Sequence, residues 1–189
     1  MQGDRTFCTA SSDVSAAPDP ERNQVLPMQI KTPRLSAVLQ SRAEVERMLD
    51  AMSAYDRSQV SADWLARLRT AEEGDPWAFA FRLLLAETET AVGTCSFKGP
   101  PVDGVVEIAY GVFPEFEGRG YATEAAQALV ALAAASREVS LIRAHTLPDA
   151  AASKRVLEKC GFVYVGDHSD PDDGVVARFE ITVGSSARS

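Results

Sequence analysis

Two groups of residues in this sequence have types and spacing that could do chemistry. The first is Gly118-Arg119-Gly120, set between a strand-like run, Val105–Val112, and a run of strong helix formers, Ala122–Ala135. Pro114 ends the strand because it cannot donate to a ladder. Free N–H groups at a helix start attract anions, and glycines let a phosphate approach the backbone. The helix start lacks Ser, Asp or Asn at its tip, with Thr123 the one nearby side-chain candidate. A phosphate is therefore a candidate ligand of this entrance. A nucleotide P-loop is excluded, because no Lys-Ser or Lys-Thr follows the glycines. A dinucleotide fingerprint also fails, because Thr123 stands where its third glycine belongs. The second group centres on Glu107, the lone acid of Val105-Val106-Glu107-Ile108-Ala109. Burial there would make its carboxyl a better proton acceptor. Alternation places Glu107, Ala109 and Gly111 on one face. A general base and an ion-paired structural glutamate are both open to it.

These groups need a scaffold. At 189 residues with 46% apolar composition, the chain is long enough for one domain with a real core. The expected division is an extension over 1–27, rich in Ser, Ala, Asp and Pro, then a domain over 28–184 and a tail over 185–189. The net charge of −8 disfavours nucleic acid and suits a cationic partner, or simply solubility. Cys8, Cys95 and Cys160 form no disulfide or metal pattern and read as reduced, cytoplasmic thiols. His145 and His168 are too far apart in sequence to suggest a metal site, so none is expected. No apolar run would span a membrane, and no signal peptide is evident.

Along the chain, Arg34–Gln40 reads as a strand. Ser41-Arg42-Ala43-Glu44 is a capping box before a helix carrying Val45, Met48, Leu49 and Met52. Ser61–Ala71 repeats the helical pattern with Trp64, Leu65 and Leu68. Trp77–Ala86 and Ala91–Phe97 read as a hairpin, followed by an irregular loop over Lys98–Gly104. Beyond the long helix come a short strand, Leu141–Thr146, and a helix, Ala150–Cys160, with Asp149 as N-cap and Gly161 as its stop. Phe162–Asp167 and Val175–Val183 are the last strands, joined by the acidic turn from Asp170 to Gly174. Early hairpins with one strand–helix–strand unit in the middle mean α+β or mixed α/β, not a doubly wound sheet.

Pro114-Glu115-Phe116-Glu117-Gly118-Arg119-Gly120-Tyr121-Ala122-Thr123-Glu124-Ala125 resembles the acetyl-CoA loop of the GNAT superfamily of N-acetyltransferases. The nearest branch is the Rim-type ribosomal-protein N-acetyltransferases. Pro148-Asp149-Ala150-Ala151-Ala152-Ser153-Lys154-Arg155-Val156-Leu157-Glu158-Lys159-Cys160-Gly161-Phe162 is similar to the family's next block, in the expected order. The resemblance implies a GNAT acyl-CoA N-acyltransferase fold. That is a mostly antiparallel sheet of roughly six to seven strands with a splayed parallel pair and about four helices. It implies acetyl transfer from acetyl-CoA to a primary amine: a peptide N-terminus, a small amine or an aminoglycoside-like drug. It also leaves a homodimer open.

The resemblance carries roles onto residues. The diphosphate would lie on the amides of Glu117, Gly118, Arg119, Gly120, Tyr121, Ala122 and Thr123, with the Arg119 side chain open to phosphate or to solvent. At Val112 and Phe113 the strand would bulge and splay from Leu141–Thr146, and the Val112 N–H would face the thioester oxygen. Glu107 would be the base, directly or through water, and Ser153 would contact the CoA sulfur. Tyr55 and Trp64 lie in the region that lines the acceptor pocket in relatives, although packing suits Trp64 better. Two departures stand out. Leu157 replaces the family's frequent tyrosine acid, and Ala150 replaces its asparagine. They keep alive an alternative, a CoA-binding regulatory domain without turnover.

Overall fold

The computed structural model describes residues 27–184 apart from Gln59 and 171–173. The expected extension, except for Pro27, the tail over 185–189 and the middle of the acidic turn lie outside the described residues. One eight-stranded sheet runs in the order β1 (Gln29–Lys31), β2 (Leu35–Leu39), β3 (Phe81–Leu85), β4 (Ala91–Phe97), β5 (Val105–Val112), β6 (Leu141–Thr146), β8 (Gly174–Thr182), β7 (Val163–Asp170). Every neighbouring pair is antiparallel except β5 and β6. The helices are α1 (Arg42–Ala51), a single turn α2 (Ala54–Ser58), α3 (Ala62–Thr70), α4 (Tyr121–Ala135) and α5 (Ala151–Lys159). The strand count exceeds expectation because β1, three residues on the sheet edge, is too short to leave a periodic signal.

One face of the sheet is the core. Leu35 and Leu39 of β2, Phe81 and Leu83 of β3, Val106 and Ile108 of β5, and Ile142 of β6 are nearly fully buried. Helix α4 meets this face through Leu129 and through Ala125, Ala126 and Ala133, small residues that let its axis come close to the strands. Alternation then leaves Glu107, Arg143, His145, Arg178 and Glu180 on the opposite, polar face.

Local chemistry sets most boundaries. Ser41 accepts from the Glu44 amide while the Glu44 carboxylate accepts from the Ser41 amide, so the capping box forms. Of the helical stripe behind it, Val45 and Leu49 are buried and Met48 is exposed. The hairpin strand begins at Phe81 rather than Trp77. Asp75 takes the amides of Trp77, Ala78 and Phe79 into a turn, which removes them from the ladder. Asp149 does not cap α5. A turn in which the Ala150 amide bonds the Leu147 carbonyl places Asp149 one residue early, and Ala150 sits at the N-cap with no side-chain bond. Gly161 ends α5 at φ +87°, the left-handed region that glycine enters without a Cβ penalty.

Candidate active site

The site begins where β5 and β6 part. Their parallel pairing ends at Ile108 opposite Ala144, whereas β5 continues to Val112. On its other edge, β5 pairs with β4 without a register shift as far as Val112 opposite Gly93. The opening therefore comes from β6 turning away, not from the expected bulge in β5. Hydrogen-bond parity tells which groups are exposed. Lys98 N–H bonds the Glu107 carbonyl and Phe113 N–H bonds the Val92 carbonyl, so odd-numbered residues of β5 face β4. Even-numbered residues face β6. Beyond Ile108 that partner is gone, which leaves the backbone groups of Tyr110 and Val112 at the mouth of the splay. Gly93 allows the close passage of β4 here, since a Cβ on it would lie 2.1 Å from the Gly111 carbonyl oxygen.

The chain then makes one 3-10 turn, Pro114–Phe116, and enters α4 through Gly118 and Gly120 at φ +73° and +84°. The Glu117 amide is spent on the Pro114 carbonyl (3.2 Å). The first intrahelical bond is Glu124 N–H to Gly120 O, and no side chain caps the helix. Among the described residues, the amides from Gly118 to Thr123 thus have no partner. Of the expected residues Glu117 to Thr123, Glu117 alone has its amide occupied.

A cleft of about 380 Å³ joins the two features. Tyr110, Gly111 and Val112 line it from β5, Glu117, Gly118 and Gly120 from the loop, Tyr121 to Thr123 from α4, and Ser153, Arg155 and Lys159 from α5. Arg155 and Lys159 are four apart on one face of α5, so two cations stand beside the free amides. The Tyr110 phenol reaches α5, donating to the Ser153 carbonyl (3.4 Å), and burial pushes it well above the ordinary phenol range. It stays protonated at neutral pH. The Ser153 hydroxyl takes no partner among the described residues, so it does not bond back to its own helix. Leu157 is buried in the core, where a tyrosine acid would otherwise start.

Several expected residues lie elsewhere. Phe113 is exposed, with its amide bound to Val92, and does not line the cleft. The Arg119 guanidinium folds back on the Glu115 carbonyl (3.1 Å) and the Phe116 ring rather than into the cleft. Tyr55 is 74% exposed on α2, and the Trp64 indole donates to the Ala78 carbonyl against the core. Neither reaches the cleft. Sequence reading missed Tyr110, Arg155 and Lys159, although the 152, 155/156, 159 spacing on α5 already marked one helix face.

Glu107 is not isolated among apolar groups. Its Oε1 accepts from Lys98 Nζ (2.8 Å) and His145 Nδ1 (3.1 Å), and its side chain is 23% exposed. Arg178 Nε donates to His145 Nε2 (3.2 Å), which fixes the imidazole with its proton on Nδ1. The sheet also brings the His145 and His168 rings together, 5.8 Å apart, a proximity their separation in sequence hid. Among the described residues, no cluster of three or more His, Cys, Asp or Glu could hold a metal, and no helix could cross a membrane.

The acetyltransferase (GNAT) domain family matches residues 26–163. The uncharacterized N-acetyltransferase YjdG of Bacillus subtilis is 37% identical over 73 residues, 38% of this chain and 44% of that protein. The match thus spans less than half of that relative. A GNAT-family acetyltransferase from Bacillus anthracis superposes with TM-score 0.60 at 23% identity, covering 82% of this chain and 98% of its own. The ribosomal-protein-S5-alanine acetyltransferase of Vibrio fischeri gives TM-score 0.64 at 13% identity, over 85% and 100%. The aminoglycoside acetyltransferase AAC(6')-Ib in complex with coenzyme A gives 0.56 at 19%, over 78% and 94%. At these identities the structures establish the fold; the family match and the site geometry together establish that the chain belongs to the GNAT acetyltransferase family.

Proposed function

We propose that this protein transfers an acetyl group from acetyl-CoA to a primary amine that attacks the thioester directly. The observation that carries this is the pairing of a splayed strand end with six free amides around one cleft. The amides from Gly118 to Thr123, with Arg155 and Lys159 alongside, suit a diphosphate and a further phosphate. The unpaired backbone of Tyr110 and Val112 suits an amide-bearing arm laid along β5. Bound there, acetyl-CoA supplies the activated acyl group.

The chain's own residues supply the rest. The Val112 N–H donates to the oxygen that gains charge as the amine adds. The departing sulfur takes a hydrogen bond from the Ser153 hydroxyl, while the Tyr110 phenol holds the Ser153 carbonyl. A thiolate, with a thiol pKa near 8.5, asks little more. Glu107 receives the amine proton. Its Oε1 already accepts two bonds, so Oε2 is the acceptor. Five residues of strand separate Glu107 from Val112, about 17 Å, so the proton travels through water. The track is open: a Cβ on Gly111 would meet nothing within 4 Å, Ala109 is small, and Ser96 and Thr94 stand opposite them. Among the described residues of this face, the cations Lys98, Arg143 and Arg178 stand beside Glu107 and Glu180, a balance that does not favour a polyamine. A single-amine acceptor, such as a peptide α-amine, fits better. Free thiols at Cys95 and Cys160 fit a reducing, cytoplasmic setting.

Incubation with acetyl-CoA and an amine panel, following free thiol, tests the reading. Thiol release with a peptide or small monoamine is expected. Coenzyme A binding without release on any amine would favour the regulatory alternative that Ala150 and Leu157 raise.

A further inference from the structure

The free amides of the α4 entrance need something to hold them in place, because their glycines permit many conformations. The turn between β1 and β2 provides it from about ninety residues away in sequence. Glu124, in the first turn of α4, is 11% exposed in its side chain. Its Oε1 accepts from the Thr32 hydroxyl (2.5 Å) and the Arg34 amide (2.8 Å). Its Oε2 accepts from Arg34 Nε (2.9 Å), with Arg34 Nη2 also at 2.8 Å. Arg34 Nη1 donates to the Arg119 carbonyl (2.8 Å), and the guanidinium lies over the Tyr121 ring at 4.9 Å. A planar trans peptide points its C=O and N–H in opposite directions. Holding the Arg119 carbonyl on the Arg34 side therefore turns the Gly120 N–H to the other side, where Gly120 lines the cleft. The guanidinium spans two oxygen groups that a lysine could reach only one at a time.

We infer that Arg34, Thr32 and Glu124 form a clamp that presets the diphosphate-binding loop, and that Arg34 is a positioning residue for coenzyme A. The inference rests on the acetyl-CoA reading above. Burial of Glu124 works against its charge, but the bonds from Thr32 and Arg34 outweigh it and hold its carboxyl below the usual range. The clamp is thus charged and intact at neutral pH. It touches no part of the acceptor track.

Calorimetric titration of the full chain with coenzyme A tests the clamp without an acceptor. Arg34→Ala should weaken binding by about tenfold or more, because the loop must then be ordered by the ligand. Arg34→Lys should recover only part of that. With a responsive amine, the KM for acetyl-CoA should rise while the KM for the amine stays within about twofold. Ser41→Ala, which loosens a distant helix, should lower the melting temperature yet leave coenzyme A affinity unchanged. Binding by Arg34→Ala within about twofold of the parent, or equal weakening by Ser41→Ala, would overturn the clamp. If Arg34→Ala does not fold, Arg34→Lys and Glu124→Gln carry the same comparison. Failure of the parent to bind coenzyme A would instead overturn the acetyl-CoA reading, and the clamp with it.

Discussion

At the start of α1, Ser41 and Glu44 satisfy each other's amides, and the bonds from Ser41 hold the Glu44 carboxyl below its usual range. At the start of α4, Gly120 in the left-handed region caps nothing, and the acidic residue of the first turn, Glu124, turns outward to Thr32 and Arg34. Both helices carry the same orphan amides by geometry. One closes the Glu44 amide on its own Ser41 and the Arg42 amide on Glu73, and gains stability. The other leaves them open and turns its carboxylate to Thr32 and Arg34, the arrangement on which the proposed diphosphate site rests.

A side chain at Gly120 would break this contrast most severely. At φ +84° a Cβ there is strained and would lie 3.3 Å from Arg34 Nη2, so Gly120→Asp should distort the entrance to α4, and coenzyme A affinity should fall by about a hundredfold or more in calorimetry. Retained affinity would mean the diphosphate lies elsewhere. The next effect concerns the acceptor side. Glu107→Gln should lower kcat/KM by about tenfold or more, leaving coenzyme A binding intact. An unchanged kcat/KM would remove Glu107 from the mechanism. Ser153→Ala should slow turnover by a few-fold, about 3- to 10-fold, while binding changes less. Equal kcat in mutant and parent would deny Ser153 a part. Smallest is Ser41→Ala, which should cost about 1 kcal/mol of stability in denaturant unfolding with no effect on the cleft.

The two helix starts also share a pH signature. Glu44 and Glu124 both have carboxyls lowered in the fold, so each contributes stability at and above the ordinary carboxylate range. That contribution is lost as pH falls through the lowered values. The melting temperature should drop as the solution is acidified below about pH 5, and Glu44→Gln or Glu124→Gln should flatten that slope. A slope unaffected by either change would mean that other carboxylates govern acid unfolding.

What sequence alone conveyed follows the range of each interaction. The Ser41–Glu44 box, the glycine entrance to α4, the strand Leu141–Thr146 and the Gly161 stop are local, and a few adjacent residues specify each. The partners of Glu107 were invisible because Lys98 and His145 reach it only through sheet pairing across β4 and β6. Arg34 and Glu124 are likewise joined only by the fold. Tyr110 lies on the opposite face of the strand from Glu107, and its reach to Ser153 depends on where α5 packs, which no local pattern specifies. Asp149 misled because its residue type suits an N-cap, yet the turn from Leu147 moved the helix start beyond it.

The most direct test is an amide-resolved NMR titration of the full-length protein with coenzyme A. The amide signals of Gly118, Arg119, Gly120, Tyr121, Ala122 and Thr123 should shift together and saturate at about one equivalent, while those of Ser41 to Glu44 stay still. Binding that leaves the Gly118–Thr123 amides unmoved, or no binding at all, would contradict the assignment of this helix entrance as the diphosphate site.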